Sequence, residues 1–112
     1  MSKYLNKKIT IDGRVFDSIK EGNRYSELKM LQKTGMIEDL ECQPKFEIID
    51  SVKWNGKTLR KRVYIADFAY TENGQEIVED VKSEFTKKNP VYTLKRQLFL
   101  LQYGKDYEFR EV

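Results

Sequence analysis

Apolar side chains recur at helical spacing in residues 19–34, with charged and amide side chains between them. A spacing of three to four residues is typical of an amphipathic helix with one buried face. Ser18 precedes this segment as a capping residue, and Gly35 follows it as a stop signal. The predicted buried positions of this first helix are Tyr25, Leu28 and Leu31.

A second helix is predicted from Pro90 to about Tyr103, because proline suits the first helical turn and Gly104 suits the end. Its predicted buried stripe comprises Val91, Leu94, Leu98 and Leu101. The predicted core of the protein includes Tyr25, Tyr64, Phe68, Leu94, Leu98 and Phe99.

Between the helices the pattern changes to the alternation of apolar and polar residues that is typical of strands. Asn55-Gly56 and Asn73-Gly74 are strong signals for two-residue hairpin turns. They join predicted strands at 43–50, 60–70 and 75–82, and a closing strand is predicted at 106–112. The first fifteen residues predict an arm or a short edge strand. The order is therefore α-β-β-β-α-β in one α/β (α+β) domain that spans 1–112.

Composition narrows the chemistry that such a domain can perform. The chain has 112 residues, no histidine and a single cysteine, Cys42. These counts argue against a structural zinc site, an internal disulfide and a Ser-His or Cys-His nucleophile. Carboxylates remain, and they favour a hard cation such as Mg²⁺. No apolar run is long enough to span a membrane and no signal peptide is evident, so a cytoplasmic protein without a membrane partner is predicted.

One acidic pair occupies neighbouring strands of this prediction. Asp67 follows an apolar strand, and Asp80 lies on the next strand beyond the Asn73-Gly74 turn. Antiparallel pairing brings the two carboxylates together, and alternation places Lys82 on the same face as Asp80. Two carboxylates and an ammonium can hold a divalent cation and orient a water beside it, as a metal-dependent phosphodiesterase requires.

The formal net charge is only +3, but the basic residues are clustered. The cluster around the Asn55-Gly56 turn contains Lys53, Lys57, Arg60, Lys61 and Arg62, together with Trp54. The cluster around the start of the last helix contains Lys87, Lys88, Lys95 and Arg96. Both clusters predict contacts with a polyanion such as DNA. Trp54 either inserts into DNA or is a partly buried hairpin aromatic, and Lys95 either contacts phosphate or lies on a solvated helix face.

Five blocks along the chain resemble the core of the PD-(D/E)XK nuclease superfamily, which has the restriction-endonuclease-like fold. They are Phe16-Asp17-Ser18-x-x-Glu21, Gln43-Pro44-Lys45-Phe46, Tyr64-Ile65-Ala66-Asp67-Phe68, Val78-Glu79-Asp80-Val81-Lys82 and Tyr92-x-Leu94-Lys95-Arg96. The closer resemblance is to a family of small phage proteins long labelled a domain of unknown function. The resemblance covers residues 16–112 and implies a mixed central sheet flanked by helices.

This resemblance implies that Asp67 and Asp80 bind Mg²⁺, for which Mn²⁺ can substitute, with help from the main-chain carbonyl of Val81. It implies that Lys82 orients or activates the attacking water. Ala66 stands where the superfamily usually has proline, and this departure leaves the neighbouring ligand intact.

Two alternatives to this metal site remain open. Asp67, Asp80 and Lys82 could form a structural ion pair on an exposed sheet face. Glu79 could replace Asp80 as the ligand if a bulge shifts the strand. Asp80 is the preferred ligand because Lys82 shares its face and not that of Glu79.

Glu21 also has two interpretations. Ser18-x-x-Glu21 matches a capping box, in which the glutamate bonds back to the helix start. At ~100° per residue, however, Glu21 falls between Tyr25 and Leu28 on the apolar face, which points its carboxylate at the sheet. The superfamily often carries a first-helix glutamate at the metal, so a ligand role for Glu21 is preferred.

The sequence and the resemblance together predict a Mg²⁺-dependent endodeoxyribonuclease of phage or prophage origin, active in the cytoplasm of a bacterial host. Branched DNA such as a Holliday junction is the expected substrate, because no separate sequence-recognition motif is present. A homodimer is expected by analogy with junction resolvases of this fold. The alternatives are a nucleic-acid-binding accessory protein without useful turnover and an RNA-directed nuclease.

Overall fold

The computed structural model describes residues 7–112. Strands β1 (Ile9–Ile11) and β2 (Arg14–Phe16) form an antiparallel hairpin. Positive φ angles of 54° at Asp12 and 76° at Gly13 produce the two-residue turn between them. The sequence predicted an arm or a short edge strand over the first fifteen residues. Residues 9–16 of that segment form this hairpin, and residues 1–6 lie outside the described residues.

Helix α1 (Ile19–Lys33) confirms the first predicted helix. The side chain of Ser18 caps it by accepting a hydrogen bond of 3.0 Å from the backbone N–H of Glu21. Gly35 follows the helix with a φ of 82°, which glycine adopts without strain and which ends the helix. The buried residues of α1 are Glu21, Gly22, Tyr25 and Leu28.

The remaining elements follow in chain order. The strands after α1 are β3 (Glu38–Cys42), β4 (Lys45–Ile49), β5 (Val52–Trp54), β6 (Lys57–Leu59), β7 (Arg62–Ile65), β8 (Phe68–Glu72) and β9 (Gln75–Asp80). The chain then forms α2 (Glu84–Lys87), α3 (Pro90–Tyr103) and β10 (Glu108–Glu111). The predicted strand at 75–82 and the predicted second helix agree with β9 and α3 to within two residues.

The central sheet is mixed and has the strand order β10-β9-β8-β3. Strand β8 pairs antiparallel with both β3 and β9, whereas β10 pairs with β9 in parallel. The Asn73-Gly74 turn joins β8 to β9 with positive φ at both residues, as the sequence predicts. The parallel edge requires a crossover, which α2 and α3 supply.

A long, bent hairpin leaves this sheet through β4 and β7. Cys42 pairs with Phe68 and Lys45 pairs with Ile65 in one unchanged register, so the pairing continues between the two sheets. Gln43, with a φ of 55°, interrupts one strand at the bend. The predicted strand at 43–50 agrees with β4 to within two residues. The prediction of a single strand at 60–70 is wrong in detail, because that segment is divided at the bend into β7 and β8. The strand β3 before the bend was not predicted.

The helices cover opposite faces of the sheet and bury separate clusters. The cluster under α1 contains Phe16, Tyr25, Leu28, Ile37, Phe68, Tyr70 and Ile77. The cluster under α3 contains Phe46, Ile48, Tyr64, Ala66, Val78 and Phe99. Ile77 and Val78 are adjacent on β9 and enter different clusters, because successive side chains of a strand point to opposite faces.

The predicted buried stripe of α3 is wrong. Val91, Leu94 and Leu101 are 61%, 59% and 75% exposed, and Leu98 is only half-buried. The helix instead packs its aromatic side chains inward, with Phe99 fully buried against Phe46 and Tyr64. Aromatic rings bury more area than leucine, so they define the inner face of this helix.

Within the described residues the protein is a mixed α/β fold with three helices and several sheets, which confirms the predicted class at that level. Over the same residues no helix combines the length and the apolar character that a bilayer crossing requires.

Candidate active site

Asp67 and Asp80 interlock at one end of the sheet. Asp67 lies in the gap between β7 and β8, and Asp80 is the last residue of β9. The backbone N–H of Asp67 donates to Oδ1 of Asp80 at 2.9 Å, and the backbone N–H of Val81 donates to Oδ2 of Asp67 at 2.8 Å. Each aspartate therefore fixes the chain that carries the other.

The strand register explains why these two residues meet. Phe68 pairs with Glu79 at the end of the β8–β9 ladder, so Asp67 and Asp80 occupy the next position beyond it. On the other side of Asp67, its carbonyl accepts a 2.9 Å hydrogen bond from the N–H of Gln43. The fully buried Ala66 packs under α3 and holds this part of the chain against the core.

Tyr64 holds the second oxygen of Asp80. Its hydroxyl donates to Oδ2 of Asp80, whose side chain is fully buried. Burial, with the nearby charge of Asp67, raises the pKa of Asp80 to about 7, although the hydrogen bond from Tyr64 opposes that rise. Burial and the Asp80 carboxylate raise the pKa of the Tyr64 hydroxyl, which therefore stays protonated and remains a donor.

Glu21 points from α1 into the same acidic region and is only 6% exposed. Burial raises its pKa to about 7, and the carboxylates of Asp67 and Asp17 add to the rise. Among the described residues, its side chain does not return a hydrogen bond to the backbone of Ser18, so the second half of a capping box is missing. The structure thus places Glu21 beside the aspartates and not at the helix start.

The three acids together carry more negative charge than the folded chain accommodates. Burial also raises the pKa of Asp67, so each of the three carboxyl groups resists ionisation in the absence of a compensating cation. Within residues 7–112, no group of three or more His, Cys, Asp or Glu side chains is arranged to hold a metal ion. Glu21 therefore lies near the Asp67–Asp80 pair without forming a shared three-acid cluster with it.

The two carboxylates of Asp67 and Asp80 are donors of the kind that Mg²⁺ uses. This ion binds oxygen, commonly takes one or two carboxylates from a protein and keeps several waters. The N–H of Val81 points at Asp67. Because the N–H and C=O of one residue in an extended chain point to the same side, the carbonyl of Val81 is also directed towards this aspartate.

Lys82 lies near the pair on the face occupied by Asp80. Its Nζ rests 4.8 Å from the ring centroid of Tyr92 on α3, and its backbone N–H donates to the carbonyl of Val112 at 3.0 Å. Its charge lowers the pKa of Asp67, Asp80 and Glu21, against the larger effect of burial. Among the described residues it forms no ion pair within 4.0 Å of a carboxylate, so its ammonium is held on the tyrosine and not on an aspartate.

Glu79, the alternative ligand, is buried on the opposite face of β9. Nε and Nη2 of Arg24 donate to its two oxygens at 2.5 Å and 2.9 Å, and the Tyr70 hydroxyl donates at 2.6 Å. The arginine neutralises this carboxylate inside the α1 face of the fold. The sequence analysis missed Arg24, although an arginine one residue before Tyr25 on the buried helix face signals a partner on the sheet.

The predicted DNA-binding residues occupy two separate surfaces. Lys53, Trp54, Lys57, Arg60 and Arg62 are exposed on and beside the β5–β6 hairpin. Trp54 is 58% exposed, which argues against the partly buried alternative. On the α2–α3 surface, Lys88 is exposed, whereas Lys87, Lys95 and Arg96 are half-buried. Arg96 forms a 2.7 Å ion pair with Glu111, and Lys87 forms one of 3.2 Å with Glu84.

The sequence analysis did not identify three residues near the acids, Tyr64, Tyr92 and Lys20, as parts of the site. The sequence analysis expected Tyr64 only as a core residue and gave no role to Tyr92, whose ring lies beside the Lys82 ammonium. A tyrosine on a buried face needs a partner for its hydroxyl, and this requirement is the signal that could have identified Tyr64. Lys20 donates from Nζ to the carbonyl of Lys82 at 3.0 Å. Its position at the start of α1 gives no sequence signal for this contact.

Comparison with protein families gives one match, which covers residues 1–110 and is described as a protein of unknown function (DUF1064). The chain belongs to the DUF1064 family. Comparison of this DUF1064 protein with curated proteins and with solved structures finds no match.

Proposed function

We infer that this DUF1064 protein is a Mg²⁺-dependent phosphodiester hydrolase with a PD-(D/E)XK-type site and a restriction-endonuclease-like core. The observation that carries the proposal is the interlocked Asp67–Asp80 pair with Lys82 on the Asp80 face. Buried acids that resist ionisation are stabilised when a divalent cation neutralises them. A structural ion pair explains the site less well, since Lys82 is held on Tyr92 and forms no close contact with either aspartate.

Asp67, Asp80 and the carbonyl of Val81 would hold Mg²⁺, and Glu21 would bind through a coordinated water. The cation supplies charge neutralisation at the phosphate and a lowered pKa of bound water. Tyr64 keeps the Asp80 carboxylate oriented by donating to one oxygen. Lys82 lies close enough to orient the attacking water and to offset the charge that develops on the phosphate. Hydrolysis then proceeds by direct water attack without a covalent intermediate.

DNA is the proposed substrate, and its branched forms are preferred. The basic hairpin and its flanks carry five exposed cations and Trp54, and one of the five, Lys61, pairs with Glu47. This composition suits backbone contacts and stacking on an unpaired base. The chain offers no separate element for reading base sequence, so shape recognition is favoured. Such junctions arise in phage recombination and packaging in the cytoplasm of a bacterial host, where we place the protein.

We also propose that the protein acts as a homodimer through the outer face of α3. Val91, Leu94, Leu98 and Leu101 follow the three-four-three spacing of a two-heptad coiled-coil seam, and three of the four are largely exposed. An antiparallel second copy places each Lys95 opposite Gln97, without like-charge repulsion. Two sites related by a two-fold axis could cut two strands of a four-way junction.

A nucleic-acid-binding accessory protein without turnover is the second candidate. The exposed basic hairpin favours it equally, whereas the complete set of Asp67, Asp80 and Lys82 favours an enzyme.

The deciding experiment incubates the protein with supercoiled plasmid, a four-way junction, a flap, linear duplex and the corresponding RNA, each with Mg²⁺, Mn²⁺ or EDTA. Metal-dependent cleavage supports the nuclease, and its substrate ranking separates DNA from RNA. Binding to the same substrates without cleavage in any metal would establish the accessory role instead.

A further inference from the structure

A pocket of about 340 Å³ opens at Val81 and Lys82, the two residues that follow Asp80 in the chain. Its described lining residues are Lys7, Ser18, Ile19, Lys20, Val81, Lys82, Ser83 and Thr86. They include three ammonium groups and three hydroxyls, and no carboxylate is among them. A pocket with this composition selects an anion with several oxygen acceptors.

Two donors in this pocket, Lys20 and Ser18, are held in place and keep unused hydrogen atoms. The ammonium group of Lys20 has three N–H donors. One donates to the carbonyl of Lys82, and two remain for a ligand. The Ser18 hydroxyl accepts from the backbone of Glu21, and among the described residues its proton has no acceptor. The nearby Asp17 is 76% exposed and already lies 3.6 Å from Lys8, so it does not neutralise the pocket.

The pocket shares Lys82 with the proposed active site. Because Lys82 lines the pocket, a strand whose scissile phosphate lay at Asp67 and Asp80 would pass Lys82 and bring a neighbouring phosphate towards the pocket. Ser83 and Thr86 also line the pocket, and their hydroxyls are hydrogen-bonded at 3.0 Å in the capping box of α2. The position and charge of the pocket thus follow the path of a nucleic-acid backbone.

We propose that this pocket, through Lys7, Lys20 and Ser18, binds the backbone phosphate that flanks the scissile phosphate on the cleaved strand. The inference rests on the proposed function, because it takes its register from the Asp67–Asp80 centre. It adds a second anchor that fixes which phosphodiester is cut, through two lysines, Lys7 and Lys20, that none of the sequence motifs specifies.

The test is a double-mutant cycle between protein and substrate. The change in the protein is the double substitution Lys7→Gln/Lys20→Gln. It is made in an Asp80→Asn background so that binding is measured without cleavage. The substrate is a fluorescein-labelled junction whose phosphates next to the mapped cut are replaced one at a time by neutral methylphosphonates. Lys29→Gln/Lys33→Gln removes the same charge from an exposed part of α1 and serves as the matched control.

We expect the Lys7/Lys20 variant to raise the Kd for the unmodified junction about tenfold, as the loss of charge-assisted phosphate contacts implies. One flanking methylphosphonate should raise the Kd of the protein that retains Lys7 and Lys20 similarly. The same methylphosphonate should leave the Kd of the Lys7/Lys20 variant unchanged. The Lys29/Lys33 control should retain the wild-type response to that methylphosphonate. In the cleaving protein, the Lys20→Gln substitution should also spread the cut over neighbouring phosphates.

Additive effects of the lysine and methylphosphonate changes at every flanking position would overturn the phosphate pocket and leave the nuclease proposal intact. If no metal supports cleavage, methylphosphonates are instead scanned along the whole junction. Coupling at a single phosphate then keeps the pocket while the nuclease proposal fails. An absence of any junction binding overturns both.

Discussion

Arg24 neutralises Glu79 on the face of β9 opposite to Asp80, through hydrogen bonds of 2.5 Å and 2.9 Å to both carboxylate oxygens. Two adjacent acids at the end of one strand therefore have different environments. Glu79 contacts a half-buried arginine and a tyrosine hydroxyl, whereas Asp80 has a tyrosine, a backbone N–H and another acid as neighbours. This difference gives Glu79 a structural role and makes Asp80 the ligand in the metal site that we propose.

Replacing Asp80 with asparagine should abolish cleavage while the protein still binds DNA. The substitution removes a proposed metal ligand, and several kcal/mol of lost transition-state stabilisation correspond to a rate reduction of about 10³-fold or more. DNA affinity should be unchanged or higher, because a negative charge that repels phosphate is lost. Single-turnover cleavage and fluorescence anisotropy measure the two effects. Cleavage at the wild-type rate would remove Asp80 from the mechanism.

Glu79→Gln is the matched neighbouring substitution, and it should reduce stability more than activity. It removes the buried partner of the half-buried Arg24, which then keeps only its 3.2 Å pair with the exposed Glu27. Breaking a fully buried pair costs about 3–5 kcal/mol, so a loss somewhat below that range is expected here. Thermal and urea denaturation should show this loss. Below the lowered melting temperature, metal-dependent cleavage should persist, in contrast to that of Asp80→Asn. Loss of metal-dependent cleavage in a folded Glu79→Gln protein would favour Glu79 as the ligand.

Without metal, stability should fall as the pH rises from about 4 to about 7. The pKa values of Glu21 and Asp80 are raised to about 7 in the folded protein, so the folded state binds more protons than the unfolded state in that window. Protonation therefore stabilises the fold at low pH, and this stabilisation is lost as the two groups ionise. Glu21→Gln and Asp80→Asn should each flatten the decline in urea-denaturation experiments.

Mg²⁺ should restore the stability lost at pH 8, because a ligand that binds only the folded state stabilises it. At about 100 times the dissociation constant the gain is about 2.7 kcal/mol. The Asp80→Asn variant should show little gain and provides the control. An equal Mg²⁺ effect on both proteins would indicate binding away from the acidic pair.

Removing positive charge from the hairpin should weaken DNA binding and reduce its dependence on salt. Each lost phosphate contact lowers the slope of log K against log salt by about 0.9, so Lys57→Ala/Arg60→Ala/Arg62→Ala should lower it by about 2.7. Binding titrations at several salt concentrations give this slope. The exposed Lys29, Lys33 and Lys105 offer a three-charge control. An unchanged slope in the hairpin variant would show that the hairpin does not contact DNA.

Leu94→Lys/Leu101→Lys should convert a dimer to a monomer. Both side chains are mostly exposed on α3, so the change should not disturb the core, yet it introduces four like charges into the proposed two-fold interface. Light scattering coupled to size-exclusion chromatography measures the mass. Met30→Lys, at a 60% exposed position of α1, should leave the mass unchanged. A monomeric wild-type protein would rule out this interface.

Much of the local structure could be predicted from the sequence because its causes are local. Capping by Ser18, the glycine after α1, the Asn-Gly turns and Pro90 act within a few residues. The same local reasoning placed Asp67 opposite Asp80 and put Lys82 on its face. It failed for the buried side of α3, where leucine spacing is regular but the aromatic rings pack better against Phe46 and Tyr64.

The sequence by itself determined the two long helices, the Asn-Gly turns and the meeting of two aspartates across a hairpin, since hydrogen-bonded turns and strand alternation act over short distances along the chain. Tertiary structure alone decided which acid receives Arg24, which receives Tyr64, and which lysines gather in a pocket beside them. Those partners are far apart in the chain, as Lys20 and Lys82 are at 62 residues, and only the packing of α1 and α3 on opposite faces of the sheet brings them together.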